Sequence, residues 1–453
     1  VEWQNIQPDE RYTWLTEGLH PEFETFIPMG SKEAKATKGE TINAIFKTYS
    51  LGVSTNRDAW ACNFNQKALT KNMDRMIDTY NDQVFKWKRR ENRDVSVDDF
   101  VISDDKKIKW SEGLKRNLQS GRTTDFSQEK VRDSLYRPFA KSNLYFDRMV
   151  TERVCVFPSI FPTPETEKEN RVICVAGIGD RKGFGCLIAN MIPNLNLAFE
   201  NTQCFPFYTY DEDGSNRREN ITDTALARFR LICRDEAIDK WDVFHYVYAL
   251  LHHPAYRARY QANLKRELPR IPYEPDFWAY ARAGKRLAEI HVGYEYVPEY
   301  QLEFVENPGL PLDWRVAKMR LSKDKTQIRY NDFLTLVGIP PAAFDYRLGN
   351  RSALEWVVDQ YAVKTDKRSG IVNDPNREDD PQYIVKLLGK VIAVSVETVT
   401  IVEKLPKLEA ANIFMKKKEG YRIFRELAGA YESDRTDCSI NHDEIIYGLD
   451  SKL

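Results

Sequence analysis

The sequence predicts an α/β (mixed α+β) chain, with a central mixed β-sheet domain followed by a mainly helical domain. Two changes of periodicity carry that prediction. Apolar residues recur at three- and four-residue steps over 66–90, then give way between 136 and 210 to short β-branched or aromatic runs bounded by Pro, Gly and Asn. Helical spacing returns from 222 to 294. At 453 residues the chain is long enough for two or three domains with real cores.

Taken in order, residues 1–54 read as mixed structure with a polar loop over 30–40. In the helix over 66–90, Leu69, Met73, Met76, Tyr80, Val84 and Trp87 define one apolar face. Its last turn carries Lys86, Lys88, Arg89 and Arg90, which suit the negative end of the helix dipole. Residues 94–121 read as a strand-poor polar segment with a short helix ending at Gly121. Strands are expected at 144–146, 154–157, 172–176, 195–199 and 205–208, closed by a charged loop over 211–220. Asp239 is expected to cap a helix bearing Phe244, Val247, Tyr248 and Leu251, which Pro254 breaks or re-aims. Pro275 opens another helix, ending near His291 and Gly293. Runs at 316–321, 327–330 and 333–337 read as a small meander, and 352–361 and 381–405 as helices. The expected division is a linking and helical region over 1–134, a β-rich subdomain over 135–221, a helical subdomain with a small hairpin over 222–406, and a tail over 407–453. In that tail Phe414 and Met415 beside Lys416, Lys417 and Lys418 suggest an amphipathic helix.

Sixty-seven basic residues against 68 acidic ones give a formal net charge of -1. Any nucleic-acid binding must then rest on local patches. Seven scattered cysteines without a Cys-x-x-Cys pair fit a reduced cytoplasm and argue against a disulfide framework or a structural zinc. No stretch approaches the roughly eighteen apolar residues of a membrane span, and the polar first residues lack a signal-peptide pattern. A start at Val1 fits either an excised piece of a longer chain or removal of an initiator Met.

Several motifs invite chemistry. Val172 to Gly183 resembles a strand entering a dinucleotide-binding glycine turn, but the third glycine falls at Gly183 instead of position 182, and Pro193 with more strand follows. It reads either as a nucleotide site or as a glycine-rich β-turn presenting Arg181 and Lys182 at its tip. There is no phosphate-loop signature and no Asn-Pro-Pro-Tyr, and Glu167-Lys168-Glu169 reads as a solvated loop. His252 and His253 point about 100° apart on a helix and lack a third ligand, so they read as packed imidazoles near the Pro254 break. Basic clusters stand at 86–93, at Lys106 to Lys109 with Lys115 and Arg116, and at Arg315, Lys318, Arg320, Lys323, Lys325 and Arg329, which could line one face of a hairpin. Asp374-Pro375-Asn376 with its following acids reads as a turn and helix cap.

Arginine beside flat rings recurs along the chain. The motifs are Thr55-Asn56-Arg57-Asp58-Ala59-Trp60, Leu135-Tyr136-Arg137-Pro138-Phe139, Phe244-His245-Tyr246-Val247-Tyr248, Pro254-Ala255-Tyr256-Arg257, Leu268-Pro269-Arg270-Ile271-Pro272 and Ser369-Gly370-Ile371-Val372-Asn373-Asp374-Pro375-Asn376. Such pairs suit a surface that meets phosphates and base edges. In this order they resemble the C-terminal target-recognition (specificity) region of the Type ISP restriction–modification enzymes, over residues 1–406. The family pattern has Gly where this chain has Asn56, a residue that also tolerates positive φ.

The resemblance implies sequence-specific binding of double-stranded DNA, positioning a target adenine for an upstream methyltransferase of the same bacterial, cytoplasmic chain and setting its nuclease site. It implies no catalytic or metal-binding residue here. S-adenosylmethionine, ATP and Mg would be cofactors of the parent chain and not of this piece. Expected DNA contacts are Arg57, Lys86, Lys88, Arg89, Arg90, Arg181, Lys182, Arg315, Lys318, Arg320, Lys323 and Lys325; for Arg57 a structural salt bridge with Asp58 under Trp60 is the other reading. Two rival functions stay open: a nucleotide-dependent enzyme using the 177–183 turn, and a protein-interaction module of a phage-defence complex.

Overall fold

The strongest periodicity in the sequence becomes the helix Gln66–Lys88, with Leu69, Met73, Met76, Tyr80, Val84 and Trp87 all buried along one side. Asn65 caps it by accepting from the Ala68 amide. A computed structural model describes residues 18–37 and 43–409; the amphipathic segment expected around 414–418 lies outside them. The described residues through Lys407 form one compact unit.

The polar stretch over 30–40 contains a short helix, Lys32–Ala36, because Ser31 supplies an N-cap to the Ala34 amide. The segment over 94–121 holds the helix Glu112–Gln119, and Gly121 takes a positive φ just after it.

Among the described residues there are three four-stranded sheets. One runs Ser50–Leu51, Gln203–Pro206, Val172–Val175, Cys186–Ala189, all antiparallel. The second runs Cys62–Asn63, Ala140–Tyr145, Val131–Arg137, Ile192–Pro193, the last pair parallel. Two expected strands are corrected. Residues 154–157 turn instead, because Cys155 has positive φ and Pro158 opens the helix Phe157–Ile160. Residues 195–199 form a loop in which Leu197, Ala198 and Phe199 fill the core without strand pairing. The 211–220 loop is the connection of a small hairpin, Tyr208–Thr209 with Arg218–Glu219.

Behind the sheets lie the helices Asp223–Cys233, Lys240–His252, Pro254–Arg259 and Phe277–Val292. Asp239 and Asp242 form a capping box at the start of the second. Pro254 ends that helix as expected, and His253 caps the next. Helices Lys240–His252 and Phe277–Val292 pack with no room for a side chain at Gly284, where a Cβ would lie 1.8 Å from the His245 carbonyl oxygen. Gly284→Ala must therefore push the helices apart, at a cost of about 2–3 kcal/mol that offsets any gain in helix propensity. Denaturant unfolding of the variant measures this; unchanged stability would mean the helices are not so close.

The meander forms the third sheet, in the order Glu303–Glu306, Leu334–Val337, Gln327–Arg329, Arg320–Leu321. Its first strand went unpredicted, since Glu-Phe-Val-Glu is exposed along its whole length and shows no buried alternation. Beside it stand the helices Ala353–Gln360, capped reciprocally by Ser352 and Glu355, and Tyr383–Glu403.

Candidate nucleic-acid interface

Two tight turns and one helix build a basic cleft. The hairpin Arg320–Leu321 with Gln327–Arg329 turns through Lys323 to Lys325, and Lys325 adopts positive φ. The pair Arg347–Leu348 with Arg351–Ser352 turns in two residues, Gly349 at φ 67° and Asn350. Between these turns and Ala353–Gln360 lies a cavity of about 670 Å³. Lys318, Lys325, Arg347, Arg351 and Lys364 line it, with Glu355 and Asp359. Lys325 bonds Glu355 at 2.9 Å. Arg351 and Lys364 share Asp359, at 3.2 and 4.0 Å. Burial holds the Lys364 ammonium below its ordinary range, and the neighbouring cations Arg137, Arg351 and Lys318 add to the shift against the pull of Asp359.

The 177–183 turn abuts this cleft. It joins strand Val172–Val175 to strand Cys186–Ala189, so it is a β-hairpin connection and not a strand-to-helix phosphate turn. A Cβ on Gly349 would meet the Lys182 Cβ at 3.4 Å, which puts Lys182 beside the Gly349–Asn350 turn. Asp180 fixes the tip by accepting from the Lys182 amide at 2.6 Å. Arg181 is exposed and pairs with Glu200 at 2.9 Å.

Around Asp58 lie three further hollows of about 300, 210 and 310 Å³. Lys364 lines both the basic cleft and the first of these, so cleft and hollows adjoin. Asn56 has φ 52°, the conformation for which glycine is usual. Asp58 accepts from Thr55 Oγ1 and, at 3.0 Å, from the Tyr136 hydroxyl. Burial and then Asp58 push that phenol's pKa up. The Arg137 guanidinium lies 4.0 Å from the Tyr136 ring centre.

The expected contacts do not form one set. Lys318 and Lys325 share the cleft, with Lys182 and Arg181 next to it. Arg57 is corrected: it is 3 % exposed, and its guanidinium donates to the carbonyls of Lys109 and Val150 and to Ser111 Oγ. It neither reaches solvent nor pairs with Asp58 as the salt-bridge reading had it. Burial brings its pKa down to about 10, opposed by Glu152. The hairpin cations are also corrected, because they do not share one face. Register sets Arg320 opposite Arg329, while Ile328, opposite Leu321, is buried and Leu321 lines the cleft. Like charges directly opposed cost stability, and Arg329 answers Asp332 at 2.7 Å. Arg315 pairs with Asp374, and Lys323 is exposed in the turn. Lys86, Lys88 and Arg89 are exposed at the end of the long helix, Lys86 bonded to Asp82 at 2.6 Å, and Arg90 stacks on Trp87 at 3.5 Å. In the Lys106–Arg116 cluster, Lys109 and Lys115 are paired to Asp105 and Asp98. Sequence reading missed Arg347, Arg351 and Lys364; Arg-Leu-Gly-Asn-Arg, a two-residue hairpin flanked by arginines, was the available signal.

His252, His253 and His291 are committed to the core. His291 Nδ1 lies 2.6 Å from the Tyr248 hydroxyl and Nε2 2.8 Å from Thr398 Oγ1. Because Thr398 in turn donates to the Val394 carbonyl, a neutral His291 accepts from Tyr248 and donates to Thr398. His252 bonds the Tyr248 carbonyl at 2.9 Å, and His253 the Pro406 carbonyl at 3.0 Å. Among the described residues no three metal-binding side chains converge, and no helix is long and apolar enough to cross a membrane.

Comparison with known proteins gives this arrangement a family. Residues 44–387 match the model of the Type ISP C-terminal specificity domain. The fold is similar to a nuclease-deletion mutant of the Type ISP restriction–modification enzyme LlaGI in complex with a DNA substrate mimic, with TM-score 0.78 and 33% identity over 90% of this chain and 36% of that one. It is similar to the ATP-dependent Type ISP enzyme LlaBIII bound to DNA, with TM-score 0.79 and 29% identity over 90% of this chain and 26% of that one. It is also similar to the DrdV–DNA complex, with TM-score 0.79 and 35% identity over 90% of this chain and 40% of that one. No curated protein matches the chain. The chain thus spans well under half of each of these similar proteins. By the match across 44–387 it belongs to the family of Type ISP C-terminal specificity domains.

Proposed function

We propose that this chain recognises a specific sequence in double-stranded DNA for a restriction–modification enzyme. It places a target adenine before a methyltransferase carried upstream on the same chain and so sets the site for the nuclease. The observation that carries this is the likeness over 90% of the chain, at 29–35% identity, to proteins solved with DNA. Lysines and arginines supply a salt-sensitive grip on phosphates, and loop side chains read base edges in the major groove. S-adenosylmethionine, ATP and magnesium serve other parts of the parent enzyme, in the cytoplasm of a bacterium. This piece holds none of them tightly and performs no chemistry of its own. The strand-to-strand geometry of the 177–183 turn speaks against the nucleotide-dependent rival.

The test is selection of the purified chain on random duplex DNA at two salt concentrations, followed by sequencing of what is retained. One asymmetric motif should be enriched, with affinity falling tenfold or more between about 50 and 200 mM salt. Retention without enrichment, insensitive to salt, would favour the interaction-module reading.

A further inference from the structure

We propose that the cleft lined by Lys318, Lys325, Arg347, Arg351 and Lys364 seats a backbone phosphodiester of duplex DNA, fixing the position of the chain on the duplex without reading bases. This rests on the DNA-recognition reading above. Five cations meet two carboxylates in the cleft, in a chain whose net charge is -1. The two carboxylates are already used: Glu355 holds Lys325 and caps its own helix by accepting from the Ser352 amide, and Asp359 serves both Arg351 and Lys364. Lys318 and Arg347 pair with no carboxylate among the described residues; Arg347 donates to the Asn350 carbonyl. An anion entering the cleft meets positive charge that the protein itself has not neutralised, and it relieves the repulsion acting on Lys364.

The shape favours a polymer over a free anion. A cavity of about 670 Å³ is far larger than one phosphate needs, and Met319, Leu321, Val358, Ala362 and Val363 give it apolar walls against which a sugar can lie. Arg347 and Arg351 flank a two-residue turn and leave opposite faces of its short ladder, yet both line the cleft. A single guanidinium fork grips phosphate oxygens through parallel hydrogen bonds, and the cleft offers two such forks. Lys182 adjoins the rim, offering a next contact along the strand.

The experiment compares wild type with the double variant Lys318→Ala/Arg347→Ala, which removes two cations without breaking an intramolecular ion pair. Lys67→Ala/Lys71→Ala, on the exposed side of the long helix, is the charge-matched control. Each is titrated with the selected duplex and with a scrambled duplex over a range of salt. The cleft variant should lose affinity for both duplexes alike, and the slope of log affinity against log salt should fall by about 2, while the control keeps the wild-type slope. Lysine acetylation mapped by mass spectrometry gives a second readout: duplex should protect Lys318 and Lys364, and millimolar inorganic phosphate should not. An unchanged slope, or loss on the selected duplex alone, would overturn the assignment while leaving DNA recognition intact. Protection by inorganic phosphate but not by duplex would make the cleft a free-anion site and overturn it too. Failure of wild type to bind either duplex would instead defeat the recognition reading, and the cleft assignment with it.

Discussion

Arg57→Ala lowers the free energy of unfolding by about 3–5 kcal/mol, because it strips a buried guanidinium from the partners it ties together. Its donors reach the Lys109 and Val150 carbonyls and Ser111, which in turn bonds Glu152. Removal leaves the buried Val150 carbonyl and the part-buried Lys109 carbonyl without this donor, and Glu152 without its nearby positive charge. Arg57→Lys does not restore stability, since one ammonium cannot replace a planar fork that serves three acceptors. Urea unfolding of both variants measures the effect. A loss under about 1 kcal/mol for Arg57→Ala would show that these contacts hold little, and a lowered salt slope on DNA with unchanged stability would return Arg57 to the DNA surface.

Acid weakens the fold through its buried histidines. Burial, aided by Arg257, lowers the pKa of His291 to about 3, and burial with Lys285 lowers that of His245 to about 4. Burial and Arg257 hold His252 well below its ordinary range. Each folded-state value lies below the unfolded value near 6.5, so the unfolded chain binds more protons across that interval. The stability is complete above about pH 6.5 and is lost as pH falls toward the folded values, at about 2 kcal/mol by pH 5 for each of His291 and His245. His291 shows the mechanism: a proton on Nδ1 removes the acceptor that Tyr248 needs. Urea midpoints at pH 7.5 and pH 5 should differ sharply, and His291→Gln, already weaker at pH 7.5, should show a smaller drop. A flat profile would mean that these imidazoles are already charged or solvated.

Much of this fold was legible because its helices carry their own signals. The face from Leu69 to Trp87, the Asp239 cap and the Pro254 break are local patterns, and each appears where the spacing put it. The β-rich middle was harder. Leu197, Ala198 and Phe199 are apolar because they fill the core from a loop, and an apolar run alone does not distinguish a strand from such a loop. The candidate site was legible only in part. Arg57 lies 52 and 93 residues in sequence from the carbonyls it bonds, so no local pattern could tell it from a surface arginine. The 315–329 cluster looked like one charged face. A two-residue period instead sends Arg320 and Arg329 to one side of the sheet, leaving Lys318 and Lys325 at the cleft. Arg347, Arg351 and Lys364 join them only through the tertiary fold.

The most direct test of the central claim is the ratio of dissociation constants for the selected duplex and its scrambled counterpart, measured on the whole chain at one fixed salt concentration near physiological. A sequence-reading domain gives a ratio of about 10³ or more. A ratio near one would contradict sequence recognition by this chain, however tightly it held DNA.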